Sequence, residues 1–220
     1  MPQIICSLFT KFLDIIFPPK CGFCGKINKD FICKKCENEI KYLKKDCIAK
    51  TNNVTYKYHL YAYKYENEIR EKMLQFKFND EPELAETFSK LIIKNEKICR
   101  FLETYDIIIP VPMHIKKQTI RGYNQADLIA KKIAKELHIE YAKDALIKIR
   151  KTKTQSSLNA SQRKSNVKDA YDCKIKEKIK DKKVILFDDI YTTGSTVAEC
   201  AKVLKQSGAK EISVFTFAKD

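Results

Sequence analysis

The sequence predicts an α/β protein: a doubly wound, mostly parallel sheet with a small cysteine-bearing module ahead of it. Three observations carry that expectation. Two runs, Tyr105 to Val111 and Val184 to Phe187, are almost continuously apolar, as strands buried on both faces are, and polar turns with chemistry-bearing residues follow each. Helix-period segments stand between and after these runs, so that strand, turn, helix and strand recur in the order that builds parallel crossover units. Four of the nine cysteines fall as two Cys-x2-Cys pairs near the N-terminus, a spacing suited to one metal ion.

The chain has 220 residues, enough for two small domains, expected at 1–50 and 51–220. Apolar residues make up 44% and no apolar run approaches the roughly 18 residues that span a bilayer, so a soluble or peripheral protein is expected. The 43 basic side chains against 28 acidic ones leave a net charge of +15, which points to anionic partners: nucleic acid, phosphorylated ligands or lipid head groups. Residues 1–17 lack the basic start and small-residue cleavage site of a secretory leader, so a reducing, cytoplasmic setting is expected.

Taken in order, residues 3–17 carry Ile4, Ile5, Leu8, Phe9, Phe12, Ile15 and Ile16 at helical spacing, and Pro18-Pro19 ends that helix. Cys21, Cys24, Cys33 and Cys36 then supply four thiolates for a tetrahedral Zn²⁺ cage with no open position, hence a structural site. Alternation over Tyr56 to Tyr65 predicts a strand, and Glu66–Phe78 and Pro82–Lys97 read as helices. After the strand at 105–111, Pro110-Val111-Pro112 breaks the chain. Arg121-Gly122-Tyr123-Asn124-Gln125-Ala126 leads into a helix with Ala126, Ile129, Ala130, Ile133, Ala134 and Leu137 on one face. Ala145–Ile149 is expected to close a βαβ unit.

Residues 149–170 have the composition of a mobile loop, and from Lys143 to Lys168 eight Lys or Arg face one Asp. Such a loop can close over a polyanion. The last strand is expected at Glu211–Phe217.

The most informative stretch is Lys183 to Thr196. An apolar strand ends in Asp188-Asp189 and is followed by Thr192-Thr193-Gly194-Ser195-Thr196 at the start of a helix. Backbone amides at a helix N-terminus favour a phosphate, whereas carboxylates accept hydroxyl hydrogen bonds and repel phosphate. A ligand carrying cis-hydroxyls and a phosphomonoester, a ribose 5-phosphate, satisfies both.

That stretch resembles the phosphoribosyl-pyrophosphate (PRPP) signature of type I phosphoribosyltransferases. The resemblance implies that Asp188 and Asp189 hold the ribose hydroxyls and Thr192 to Thr196 the 5′-phosphate. It also implies that the turn Val111, Pro112, Met113 and His114 grips pyrophosphate, with Arg121 and the loop cations Arg150, Lys153 and Arg163 as partners and Mg²⁺ carried in with PRPP. The ordered set of Pro18-Pro19, the cysteine knuckles, Pro110-Val111-Pro112, Arg121 to Ala126, Gln155 to Asn166 and the PRPP signature is similar to the ComF family of competence proteins. Membership implies a part in natural transformation: a cytoplasmic protein that binds PRPP and single-stranded DNA, near the DNA-uptake machinery of the inner membrane. An active phosphoribosyltransferase that displaces pyrophosphate with a base or amine is the alternative.

Overall fold

A computed structural model describes residues 18–152 and 160–220; the expected helix at 3–17 and Lys153 lie outside the described residues. The chain forms two compact units that part between Tyr42 and Leu43, eight residues ahead of the expected boundary, because residues 44–50 enter the sheet of the second unit.

Among its described residues the first unit carries the cysteine knuckles and a short helix, α1 (Lys34–Glu39). The second unit holds a six-stranded sheet. Its strands are β1 (Lys44–Lys50), β2 (Tyr58–Lys64), β3 (Ile107–Pro110), β4 (Glu140–Tyr141), β7 (Lys183–Tyr191) and β8 (Glu211–Lys219), in the order β1-β2-β8-β7-β3-β4. All pairings are parallel except β1 with β2. Its helices are α2 (Asn67–Phe78), α3 (Leu84–Ile93), α4 (Glu96–Leu102), α5 (Ile115–Arg121), α6 (Gln125–Glu136), α7 (Ala160–Val167), α8 (Lys176–Ile179) and α9 (Ser195–Gln206). No helix among the described residues is long and apolar enough to cross a membrane.

The pleat sorts the core onto two faces. Ile107, Ile109, Val184, Leu186, Ile212 and Val214 pack with Val197, Cys200, Ala201 and Leu204 of α9. The aromatic contacts Phe187–Phe215 (5.2 Å between ring centres) and Phe88–Phe217 (4.6 Å) belong to the alternate residues of β7 and β8, the latter reaching α3. Cys99, Cys173 and Cys200 are buried among apolar neighbours, as their isolated spacing suggests, and Cys47 is half-buried.

Three local expectations are corrected. The segment 82–97 is two helices, because Asn95 stops the first and caps the second, accepting from the Ile98 N–H at 3.2 Å. The strand that follows α6 and pairs parallel with β3 is Glu140–Tyr141, not Ala145–Ile149; Tyr141 and Lys143 both bind the Asp127 carboxylate of α6 and hold that edge. Leu146–Lys148 (β5) pairs instead with Tyr171–Cys173 (β6) in a separate antiparallel ribbon. Within the stretch read as a mobile loop, 160–167 is helical and anchored by fully buried Val167.

Candidate functional site

Strand β7 outruns its neighbour. Phe187 pairs with Pro110, the last residue of β3, and Val111 N–H still donates to the Phe187 carbonyl at 2.8 Å; beyond that only β8 accompanies β7 as far as Tyr191. Asp188 and Asp189 therefore stand at an open carboxyl edge of a parallel sheet, where ligands of such folds bind. Strand alternation sends them to opposite faces. Asp188 lies toward Cys200, Tyr171 and Lys148, beneath α9 and the β5–β6 ribbon, each of which responds to its charge. Asp189 lies toward α2 and α5, where Lys77 Nζ reaches its Oδ2 at 2.8 Å and Lys117 and Arg121 feel its field.

Each acid also accepts from the following backbone amide: Asp189 N–H to Asp188 Oδ1 at 2.9 Å, Ile190 N–H to Asp189 Oδ1 at 2.8 Å. Burial, and then the neighbouring Asp189 charge, push the Asp188 carboxyl up to about 8, against the pull of Lys77. Burial also holds Lys117 and Lys148 below the ordinary ammonium value. Cations surround two acids in a partly desolvated corner, an arrangement able to take a ligand with hydroxyls at its centre and phosphates at its rim.

The loop at 192–196 opens α9, whose first-turn amides have no intrahelical acceptor. Thr192 and Thr193 are exposed, Thr193 Oγ1 lies 3.0 Å from Ser195 Oγ, and the Tyr171 hydroxyl is bonded to the Thr196 side chain. Gly194 sits at φ +72°, and a Cβ there would lie 2.2 Å from the Tyr191 hydroxyl. That ring is not free to retreat: it stacks on His59 at 4.0 Å and its hydroxyl is 3.1 Å from that of Tyr56. Gly194→Ala is expected to destabilise the protein by about 1–3 kcal/mol, from the left-handed backbone and the displaced ring together. An unchanged urea midpoint would show that neither constraint operates.

The turn after β3 is held from behind. Asn124 Nδ2 donates to the Val111 carbonyl at 2.9 Å, and its Oδ1 caps α6 by accepting from Ala126 N–H at 3.2 Å. Half-buried Pro112 and Met113 follow, and His114 is the N-cap of α5, with Nδ1 accepting from Lys116 N–H at 3.3 Å. Arg121 lies 5.2 Å over the Phe78 ring and donates to Gln125 Oε1 at 2.8 Å. The Tyr123 hydroxyl and Gln125 Nε2 both donate to the Phe76 carbonyl, at 2.7 and 3.0 Å.

Arg150 donates to the carbonyls of Asn166 and Lys168 at 3.0 and 2.7 Å, closing the C-terminal end of α7, and half-buried Arg163 lies within that helix. Lys77, Lys148 and Tyr171 are drawn to the acid pair without having been expected there. No local signal singles them out, since Lys is abundant throughout the chain and each reaches the site only through tertiary packing.

In the first unit, the sulphur atoms of Cys21, Cys24, Cys33 and Cys36 lie within 4.8 Å of one another. The knuckle closes through Gly25 N–H to the Cys21 carbonyl at 2.8 Å, with Gly25 at φ +73°. Cys33 N–H points at Cys21 Sγ at 3.4 Å, the kind of amide support that favours a thiolate. Burial alone would raise the Cys21 thiol, but the amides around it prevail and bring it down to about 7. Four soft donors in one closed cluster fit a structural zinc ion.

An acid pair and an amide-lined loop at the carboxyl edge of a parallel sheet define a domain of the phosphoribosyltransferase class. The Phosphoribosyl transferase domain model matches residues 125–220 and the Double zinc ribbon domain model residues 12–53. Over 206 residues the chain is 31% identical to Competence protein F of Haemophilus influenzae, covering 90% of both chains, and it belongs to that family. It is 25% identical over 208 residues to Competence protein ComFC of Bacillus subtilis, covering 90% of this chain and 77% of the other. With DNA utilization protein YhgH of Escherichia coli it shares 32% over 148 residues, 66% of this chain and 64% of that protein's length.

Proposed function

We infer that this protein binds PRPP together with Mg²⁺ at Asp188, Asp189 and the Thr192–Thr196 loop, and handles single-stranded DNA during natural transformation. The observation that carries the reading is the open edge of β7, where two carboxylates sit among Lys77, Lys117, Arg121 and Lys148 beside a helix-opening loop. Carboxylates supply acceptors for the ribose 2′- and 3′-hydroxyls, the loop amides receive the 5′-phosphate, and the cations offset pyrophosphate. Mg²⁺, as a hard cation that keeps oxygen ligands, accompanies the pyrophosphate.

The names of the family relatives, competence and DNA utilization proteins, support the DNA role, as does the net charge of +15. Lysine-rich surface tracks phosphates with little base discrimination. The working site is cytoplasmic, with peripheral contact at the inner-membrane uptake machinery.

Calorimetric titration with PRPP and Mg²⁺, repeated with a single-stranded oligonucleotide present, tests both halves. Saturable PRPP binding is expected, together with DNA affinity that falls by about 10³-fold or more between 50 and 200 mM salt if six or more phosphates are neutralised. Absence of PRPP binding, or DNA binding indifferent to salt, would remove the corresponding half. The cations ringing the acid pair also suit the departure of pyrophosphate, so a screen of bases and amines for pyrophosphate release distinguishes turnover from binding.

A further inference from the structure

Lys77 contacts the acid pair directly, and the end of α2 that carries it is tied to the Arg121–Ala126 segment. Its ammonium is 2.8 Å from Asp189 Oδ2, and the two side chains are only 20% and 13% exposed. An ion pair so far out of water needs accurate geometry to repay desolvation. Both neighbours of Lys77 meet the Arg121–Ala126 segment. The Phe76 carbonyl, in the last turn of α2 where intrahelical donors run out, accepts from both Tyr123 and Gln125, and the Phe76 ring stacks on Tyr123 at 5.5 Å. On the other side, Arg121 covers the Phe78 ring. The backbone is thus held one residue before Lys77, at the Phe76 carbonyl, while the four-carbon stem of Lys77 retains reach.

We propose that Lys77 is an exchange cation: it holds Asp189 while the site is empty and moves to a phosphate of the incoming sugar phosphate, so that the site discriminates against sugars that carry no phosphate. The inference rests on the PRPP reading above and assigns a specificity role within that site. A sugar hydroxyl can use the Asp189 lone pairs fully only if the ammonium gives way. An uncharged cis-diol offers Lys77 nothing in return and would strand a buried cation. A phosphorylated sugar offers it a new anionic partner at the moment its old one is taken, so the exchange is close to balanced. Tyr123, Gln125 and Asn124 are positioning residues in this arrangement, holding the α2 end and the turn after β3 in one register.

The test is titration of the full chain with PRPP and Mg²⁺ and, separately, with ribose, for the wild type, Lys77→Met, Lys77→Arg and Tyr123→Phe, with thermal midpoints recorded alongside. Lys77→Met is expected to weaken PRPP by about tenfold to a hundredfold, the range for a lost hydrogen bond to a charged group. It should narrow the ratio of PRPP to ribose affinity by at least as much. Lys77→Arg, which keeps the charge, should recover part of the loss. Tyr123→Phe, which removes only the hydroxyl on the Phe76 carbonyl, should weaken PRPP by a few fold with Lys77 chemically intact.

Unchanged PRPP affinity in a destabilised Lys77→Met would assign the lysine a structural part alone and overturn the proposal. A rise in PRPP affinity would make it a mere plug and overturn it equally. If the wild type itself does not bind PRPP, the reading of the site falls and takes this inference with it; if the wild type binds and Lys77→Met binds alike, only this inference falls.

Discussion

Replacing Asp188 by Asn is expected to weaken PRPP binding by about tenfold to a hundredfold and, at pH 8, to make the protein more stable than the wild type. The first effect, read above pH 8 where the carboxyl is ionised, follows from losing a carboxylate acceptor for a ribose hydroxyl, a charge-assisted bond of about 1.5–3 kcal/mol. The second follows from the proton. Burial and the adjacent Asp189 raise the Asp188 carboxyl from 3.8 to about 8. Between those values the folded protein retains a proton that the unfolded chain has released, so stability is lost as pH climbs through the window and is flat above it.

Asn carries no such proton, and the variant's advantage over the wild type should grow from pH 5 to pH 8, reaching on the order of a few kcal/mol. For a domain of this size that is several degrees in midpoint. His59 runs the other way: burial, helped by the Lys219 charge, pulls its imidazole down to about 4, so its contribution is present at neutral pH and drains as pH falls from about 6.5. It is common to both proteins and drops out of the difference. Denaturation midpoints of the two proteins at pH 5 and pH 8 decide the matter; a difference that does not grow with pH would show that Asp188 is not a strained acid. A carboxyl held in a desolvated corner costs stability in this way, a pattern that clusters at functional sites.

Stripping zinc is expected to unfold the first unit while leaving the second intact. Only Cys21, Ile32, Cys36 and Ile40 are buried among residues 18–42, far too little apolar area to offset the conformational entropy of that segment. Structural zinc contributes about 10–16 kcal/mol in small modules of this kind, so the fold and the metal are lost together. The second unit has its own core, with Phe187, Phe215, Phe217, Phe76 and Phe88 fully buried. Limited proteolysis after chelation, or of Cys36→Ser, should cut within 20–42 and leave a resistant fragment beginning near residue 43. Equal resistance with and without chelator would mean that the knuckles hold without metal.

Much of this site was legible from residue order. The run Val184 to Phe187 ending in Asp188-Asp189 and Thr192 to Thr196 specifies a buried strand, an acid pair and a helix start through chemistry that acts over a few residues. The Cys-x2-Cys pairs are local in the same sense. Other features were not. Helix α5 has no buried residue, so its seven residues show no apolar stripe to read. The strand at 146–148 looks like any half-buried strand, and pairing with 171–173 rather than with β3 is a choice among distant partners.

The role of Tyr123 was likewise hidden, since only the fold sets its hydroxyl 2.7 Å from the Phe76 carbonyl. The chain's order of residues alone determined the acid pair ahead of a helix start, the cysteine cluster and the family resemblance, because each depends on groups that are neighbours along the backbone. Which of 43 Lys and Arg side chains faces the acid pair was decided only when α2, α5 and the β5–β6 ribbon packed around the end of β7. Charge acts through space, and a lysine such as Lys77, 112 positions from Asp189, acquires its meaning from the fold that brings the two within 2.8 Å.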